Sequence, residues 1–487
     1  MLMLMVPMKF HCCWKKVKFA LLLGAVILAG CSVGPEYKRP DIAAPSAWHE
    51  NASSSSPPIS NTTAPETAHW PSTEWWHGFA CAELDAYIAQ AKLTNNDLAA
   101  AVARVRQADQ LANIAGAALL PTLGASFTAL NEREQATTGN YVAVKQFSPQ
   151  LNASYMLDFW GKNRAAQDAA IATAAASRHD QVTVELTVIS SVAQSYFQSL
   201  ALRERVAVAE HNLANAEITL KGLQQQLHAG VATALDVAQQ ETTVATLAAA
   251  LPPLRLQLRQ TLNALAILVG KTPETVEVSN QTLADLTVPE VRPGLPSELL
   301  ERRPDVAEAE DQLIAANANI GVARAAFFPS IELTASYGYA SSALAGMTNS
   351  ANIIHTLAAG ITQPIFDGGA IKGQYEFSKA RYDELLANYR KAILSALGNV
   401  EDALVAVQQN TEQVKRLEFA VQKAARAHHI AQAQLHAGTV NILAVLNTET
   451  ALFTAQDALI QAKNSHLEAY LSLFGALGGG WQKEAGK

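Results

Sequence analysis

The chain has 487 residues, of which 49% are hydrophobic and 16% are charged, so it is long enough to bury a large core. Its formal net charge is −7, from 36 basic and 43 acidic side chains. Because a nucleic-acid partner requires a basic surface, this balance argues against nucleic-acid binding.

The first thirty residues predict a targeting segment rather than part of the fold. Lys15, Lys16 and Lys18 directly precede an apolar run, 19–28, that is shorter than a membrane-spanning helix requires. The run is followed by Ala-Gly-Cys, which resembles a bacterial lipobox; the alternative is an ordinary signal peptide with an incidental cysteine. We expect a lipoprotein signal peptide over 1–30, translated from Met1 or Met8, and lipidation at Cys31.

Cysteine usage predicts that the mature chain has no internal disulfide bond. Cys12 and Cys13 leave with the signal peptide, and Cys31 carries the lipid. Cys81 then stands alone and is expected to be a small, buried, apolar residue.

A tether and then a packed body are predicted next. Residues 31–66 are rich in Pro, Ser, Asn and Thr, which is typical of an extended segment with little regular structure. An aromatic cluster marks the start of the packed body: Trp70, Trp75, Trp76 and Phe79.

From there the sequence is a tandem duplication with a constant offset of 208 residues. Segments 97–251 and 305–459 align without a gap, which implies two structurally equivalent halves. The predicted division is a first repeat, 67–270, a linker or equatorial segment, 271–304, a second repeat, 305–474, and a C-terminal tail, 475–487.

Each repeat begins with a helix and continues with segments whose hydrophobicity alternates with a period of two. The helices are predicted at about 97–118 and 305–326, and the strands at about 121–132, 146–158, 329–340 and 353–366. Such alternation fits any half-buried antiparallel sheet and equally a membrane barrel with a polar lumen. Four strands cannot close a barrel, and lipid does not tolerate open sheet edges, so a membrane-spanning arrangement would require several chains.

Very long helices follow the strands. The stretch 163–228 contains no proline and little glycine, so a helix of about 66 residues is predicted, roughly 100 Å long at 1.5 Å per residue. Returning helices are predicted at about 233–251 and 441–474, and Pro252 and Pro253 are expected to break the first of them. Apolar residues at 3-4 spacing indicate coiled-coil packing.

The two reversals between these helices have closely similar sequences. Gly230 and Gly438 stand where a helix C-terminus favours a left-handed residue. Thr233 and Asn441 stand where the next helix needs an N-cap. The tips are predicted at 228–233 and 436–441.

The sequence contains no catalytic constellation. His428 and His429 have no cysteine or acid at metal-ligand spacing, so they are expected on a solvated helix face, and no metal or cofactor is predicted. No glycine-rich phosphate loop follows a strand, and no Ser or Cys nucleophile lies in a recognisable elbow. The chain is therefore predicted not to be an enzyme.

Five motifs occur in order on the duplication. They are CSVGPEYKRP from Cys31, LERRPDV from Leu300, ANIGVARAAFFPS from Ala318, ALGGGW from Ala476, and the two LHAG tips. Together they resemble the TolC-type outer-membrane efflux channels, particularly their lipoprotein (NodT-like) subgroup in multidrug efflux systems. The resemblance implies a mainly α-helical fold with a membrane β-barrel portion. In a homotrimer, twelve strands would form one outer-membrane barrel that continues into a periplasmic coiled-coil tunnel.

The resemblance also implies partners and site residues. The tips would meet a periplasmic membrane-fusion (adaptor) protein through His228, Gly230, Val231, His436, Gly438 and Thr439; alternatively the two glycines are only helix caps, and both roles are compatible. Family members often carry acids after the second tip, where this chain has Ala444 and Asn447. Asp236, equivalent to Ala444, is hypothesised to supply three carboxylates to a trimer constriction, with Asn447 as a neutral second layer.

The implied function is a passive outer-membrane exit duct for drugs and other toxic small molecules. It would be lipid-anchored at Cys31, in contact with outer-membrane lipid, and driven by an inner-membrane pump of the RND or another type. Two alternatives stay open: an exit duct for type I protein secretion, and a structural coiled-coil lipoprotein without a pore.

Overall fold

The computed structural model describes residues 33–41, 45, 47–49, 70–135, 141–289, 291, 294 and 296–483. The predicted signal peptide, Cys31 and most of the predicted tether lie outside these residues. The described part contains α1 Ala82–Thr94, α2 Asn96–Ala117, β1 Thr122–Gln135, β2 Tyr141–Leu157, α3 Lys162–His228, α4 Ala234–Leu268, α5 Pro296–Leu299, α6 Pro304–Ala325, β3 Ser330–Tyr339, β4 Ile353–Thr362, α7 Ala370–His436 and α8 Ile442–Ala476.

Two compact units are present, and each sequence repeat contributes to both. Among the described residues, the strand unit comprises those within Met1–Asp41, Val105–Ser177 and Ala309–Tyr389, and the hairpin unit comprises those within Ile42–Arg104, Arg178–Glu308 and Arg390–Lys487. The compact units therefore do not coincide with the repeats, because α3 and α7 each contribute residues to both units.

The strand unit is built on one antiparallel sheet with the strand order β1-β2-β3-β4. Its register places apolar residues opposite one another: Leu151 faces Tyr337, and Ala335 faces Leu357. One face of the sheet is consequently apolar, and much of it is uncovered in the single chain. Leu357 is 83% exposed, which is unusual for a leucine in a sheet.

Three strand predictions need correction at their ends. The β1–β2 hairpin extends to the pair Gln135 and Tyr141, beyond the predicted limits. The added pairs join a polar stretch of β1, 131–135, to a mostly apolar stretch of β2, 141–145, and neither stretch alternates between polar and apolar residues. There Arg133 lies over the ring of Tyr141 at 4.7 Å. Conversely, β4 ends at Thr362, four residues early, since Pro364 has no N–H to continue the ladder.

The long helices α3 and α7 each have 67 residues, which corresponds to roughly 100 Å. The prediction that Pro252 and Pro253 break the returning helix is wrong, since α4 continues through both to Leu268. Both prolines are exposed, while Leu251 before them and Leu262 after them are buried. Packing on both sides overrides the low helix propensity of proline.

An aromatic cluster forms the centre of the hairpin unit. Trp75, Trp76 and Phe79 are buried, which confirms that the packed body begins at this segment. Trp75 stacks on Phe474 of α8, with ring centroids 4.9 Å apart and an interplanar angle of 11°. This contact joins the start of the first repeat to the end of the second.

Cys81 is buried as predicted, but its role is not simply apolar. Its sulfur caps α1 by accepting the backbone N–H of Leu84 at 3.5 Å. It also lies 3.3 Å from the hydroxyl of Tyr196 and 3.1 Å from Oε1 of Gln281. The thiol therefore belongs to a polar cluster inside the core.

The segment 271–304 packs closely on the hairpin unit. It contains two single 3-10 turns, at Pro273–Thr275 and Leu283–Asp285, followed by α5. Val276 and Leu299 are fully buried, so the segment is part of the core. Among the described helices, none is at once long enough and apolar enough to cross a membrane.

Candidate functional site

The first hairpin tip ends α3 with a Schellman motif. Gly230 has φ +76°, the left-handed value that a Cβ would oppose. The N–H of Gly230 donates to the carbonyl of Leu227 at 3.0 Å, and the N–H of Val231 donates to that of Gln226 at 2.9 Å. These two bonds satisfy helix-end carbonyls that would otherwise lack partners.

The next helix starts with a complete capping box. The Thr233 hydroxyl oxygen accepts the N–H of Asp236 at 3.3 Å, and Oδ2 of Asp236 accepts the N–H of Thr233 at 2.8 Å. The Thr233 hydroxyl also donates to Oδ2 at 2.7 Å. These hydrogen bonds stabilise the carboxylate and lower the pKa of Asp236. The predicted gate residue is therefore also a structural cap.

The second tip repeats the helix end but not the capping box. Gly438 has φ +70°, and Thr439 donates its N–H to the carbonyl of Gln434 at 2.9 Å, as Val231 does in the first tip. Asn441 caps α8 by accepting the N–H of Ala444 at 3.4 Å. The side chain of Ala444 cannot accept the N–H of Asn441 in return, so the N-terminus of α8 is capped by fewer hydrogen bonds than that of α4.

The described residues predicted to dock the adaptor are all at the surface of the tips. His228, Gly230, Gly438 and Thr439 are exposed, and Val231 is 77% exposed. The two tips thus expose backbone, small side chains, the imidazole of His228 and the side chain of Val231. His436 is the last residue of α7, and its side chain is outside the described part.

The two tips pack against each other just behind these exposed residues. A small apolar cluster joins all four hairpin helices: Leu223, Val237, Ala431, Ile442, Val445 and Leu446. Because both tips belong to this cluster, a displacement of one tip must disturb the packing of the other.

Three buried or half-buried polar side chains lie next to this cluster. Gln240 of α4 is fully buried and Glu449 of α8 is 3% exposed. His428 of α7 is half-buried, with Nδ1 3.4 Å from the hydroxyl of Thr448. The expectation that both histidines lie on a solvated face holds for His429 but is wrong for His428. Burial lowers the pKa of His428, and the neighbouring His429 lowers it further.

Comparison with known proteins decides the family. The model of the outer membrane efflux protein family matches residues 87–271 and 295–479. The chain belongs to this family. The two matches begin 208 residues apart, the offset of the sequence duplication, and they omit most of the linker.

Similar proteins of the outer membrane efflux family match almost end to end. Pyoverdine export outer membrane protein OpmQ of Pseudomonas aeruginosa is 40% identical over 96% of this chain and 97% of its own. The CmeC channel of Campylobacter jejuni is 25% identical, with a TM-score of 0.86 over 94% of this chain and 96% of that one. The open state of the MtrE channel of Neisseria gonorrhoeae is 28% identical, with a TM-score of 0.82 over 94% and 100%.

These matches confirm the resemblance predicted from the motifs. The fold is that of outer-membrane efflux channels, mainly helical with an antiparallel strand portion, and the chain is an outer-membrane exit duct. The chain therefore functions in efflux across the outer membrane, and the hairpin tips described above are the tips of an efflux-channel protomer.

Sequence reasoning missed Glu449, although a signal for it was present. Ile442, Leu446 and Phe453 lie on one stripe of α8, and Glu449 is the single charged residue between them on that stripe. A charge on an apolar stripe predicts a buried titratable group.

Proposed function

We propose that three copies of this chain close their sheets into one twelve-stranded barrel in the outer membrane. The observation that carries this is the open sheet: in the described chain, β1 and β4 each have a neighbour on one side only. Lipid offers no partner for the free edge groups, so β4 of one copy would pair with β1 of the next. The uncovered apolar face, with Leu357 on it, would face lipid.

The long helices would carry the duct through the periplasm. At roughly 100 Å each, α3 and α7 are long enough to form a coiled-coil tunnel below the barrel. The two tips of each copy would then ring the periplasmic mouth. Exposed tip residues are what an adaptor protein would contact: His228, Gly230, Val231, His436, Gly438 and Thr439.

The mouth would be gated by charge as well as by packing. In a trimer, Asp236 supplies three carboxylates, and its lowered pKa keeps them ionised at neutral pH. Asn447, exposed on α8 six residues past the N-cap, would form a neutral second layer. Such a ring attracts cations and slows anions by electrostatics alone.

The duct would be anchored through lipid on Cys31 and would conduct small molecules passively. The similarity to a protein named for pyoverdine export supports a small-molecule cargo. An inner-membrane pump, of the RND or another type, would supply the energy and select the substrate. On this proposal the repeats 67–270 and 305–474 build equivalent halves of each protomer, joined through 271–304.

The deciding experiment is single-channel recording in planar bilayers with protein whose trimeric mass has been measured. We expect conductance from trimers and none from dissociated chains. Leu357→Arg places a charge on the apolar face and should prevent insertion, at a cost of about 2–4 kcal/mol per chain near the bilayer centre. Thr356→Arg, on the opposite face of the same strand, is the matched control and should still insert. Insertion of both variants, or the absence of trimer-dependent conductance, would overturn the proposal.

A further inference from the structure

Glu449 is a carboxyl group enclosed between packed helices, and the described residues include no charged partner for it. It is 3% exposed, and its Oε2 has no hydrogen-bond partner among the described residues. It lies eight residues past the N-cap of α8, about 12 Å along the helix from the second tip. A buried carboxylate without compensation is unfavourable, so the packing as observed favours the protonated acid.

A second unsatisfied group lies at the same level of the first hairpin. Gln240 is seven residues past the N-cap of α4 and fully buried. Its Nε2 donates to the carbonyl of Ala216 at 2.8 Å, but its Oε1 has no partner within the described chain. Both unpartnered atoms, Oε2 of Glu449 and Oε1 of Gln240, are acceptors when Glu449 is ionised. Protonation of Glu449 adds an O–H donor, whereas the carboxylate adds only acceptors.

Within the described part of the chain, no charge offsets the burial of Glu449. Burial alone raises the pKa of Glu449 from its ordinary value of 4.5 to about 7. Titratable and charged groups occur on the neighbouring turns of all three packed helices, and all except the half-buried His428 are exposed or partly exposed. They are Glu217 and Lys221 of α3, Asp236 and Glu241 of α4, and Lys423, Arg426, His428 and His429 of α7.

We propose that Glu449 is a proton-operated latch between the two hairpin tips. When Glu449 is protonated, α8 packs against the first hairpin and the mouth is held closed. When it is ionised, hydration of the carboxylate favours separation of the hairpins. This inference rests on the proposed channel function, because it assigns the packing of the tips to closure of the mouth.

The direction of the pH response follows from linkage. The packed state has the higher pKa, so packing is favoured below pH 4.5 and weakens as pH rises towards about 7. Through Glu449 alone, the ratio of separated to packed hairpins in one chain should rise ~50-fold between pH 5 and pH 7.5. His428 acts oppositely, because its lowered pKa means that its contribution to packing is present above pH 6.5 and weakens as pH falls below that value. The pH dependence specific to Glu449 is therefore isolated by substituting Glu449 while His428 is kept.

Two measurements test the latch on the full-length trimer. Spin labels on cysteines introduced at the exposed residues Val231 and Thr439 report the distance between tips, while Cys81 is buried and stays unlabelled. Bilayer recording reports the open probability over the same pH range. In the otherwise native protein we expect longer tip distances and a higher open probability at pH 7.5 than at pH 5.

Glu449→Gln keeps the shape and hydrogen-bonding groups of the neutral acid and should stay packed at both pH values. Glu241 is the equivalent residue of the first repeat and is exposed, so Glu241→Gln should retain the native pH response. If Glu449→Gln fails to assemble, Glu449→Met replaces it and should give the same pH-independent packing.

The outcomes separate the latch from the channel function. A native protein that conducts, with a pH response that survives both Glu449 substitutions, would overturn the latch. A pH response that is lost in both Glu449→Gln and Glu241→Gln would also overturn it, because the response would then depend on the net charge of the hairpins rather than on the buried carboxyl group. A pH-dependent tip distance that only Glu449 controls, in a protein without conductance, would support proton-dependent packing of the tips but overturn its assignment to closure of a channel mouth.

Discussion

Asp236 is a helix cap in the structure and, on our proposal, a charge at the mouth, and substitutions can separate the two roles. Thr233→Ala removes the hydroxyl that accepts the N–H of Asp236 but leaves the carboxylate in place. Asp236→Asn removes the charge but keeps a side-chain oxygen that accepts the N–H of Thr233. Asp236→Ala removes both functions. The three variants therefore assign each effect to its cause.

The size of the cap effect follows from the hydrogen bonds in the box. Loss of a Thr N-cap typically costs about 1 kcal/mol, which corresponds to roughly a fivefold increase in local opening at the start of α4. Asp236→Asn should cost less, because the reciprocal bond persists in neutral form. The effect of charge on ion selectivity should be largest in the two Asp236 variants and smallest in Thr233→Ala. Cation-to-anion permeability should fall in Asp236→Asn and Asp236→Ala and stay near the native value in Thr233→Ala.

Hydrogen exchange of the amides in 229–240 measures the cap, and reversal potentials in a salt gradient measure the charge. Asn441→Ala is the matched control in the second tip. Its single bond of 3.4 Å, without a reciprocal partner, predicts a smaller loss of protection than that caused by Thr233→Ala. The carboxylate contribution should also disappear in acid: the lowered pKa of Asp236 means that it is present above pH 3.8 and lost below it.

Two results would refute this reasoning. Unchanged permeability ratios in Asp236→Asn would exclude the residue from the gate. Unchanged exchange in Thr233→Ala would mean that packing of the tips, rather than the capping box, holds the start of α4.

Three further predictions follow from single residues. Gly438→Ala should raise the amide hydrogen-exchange rate of the second tip by roughly fivefold, about 1 kcal/mol, because φ is +70° although the space around the residue is open. Gly438→Asn should cause a smaller loss of protection, and equal losses in the two variants would contradict the conformational explanation. Trp75→Ala should destabilise the hairpin unit by about 3–5 kcal/mol, seen as a lower trimer melting temperature, through loss of the stack on Phe474. Cys31→Ser should abolish labelling by radioactive palmitate while conductance persists, and retained labelling would refute the anchor.

The tips could be predicted from sequence because their structure depends on neighbours only a few residues away. A Schellman motif closes within six residues, and a capping box within four. The two reversals can therefore be predicted from four residues: Gly230, Thr233, Gly438 and Asn441. The duplication strengthened the prediction, since the same pattern recurs at a constant offset.

The missed features depend on contacts that are distant in sequence. Pro252 would end an isolated helix, but buried residues on both sides hold α4 together. The extension of the β1–β2 hairpin joins a polar stretch to a mostly apolar one, and neither has the hydrophobic alternation that would reveal a strand. Cys81 has the expected burial, yet its polar partner Tyr196 is 115 residues away. In each case tertiary contacts decide what local propensity cannot.

The pair Glu241 and Glu449 shows how two equivalent halves can acquire different roles. Both are glutamates at the same position of the repeat, yet the first is exposed and the second is buried in the seam of α8. Solvent keeps the first an ordinary surface charge, whereas burial raises the pKa of the second to about 7. Asp236 shows the converse, since its equivalent in the second repeat is Ala444. Each hairpin thus has one distinctive carboxyl, exposed and fixed by a cap in the first, buried and sensitive to protons in the second.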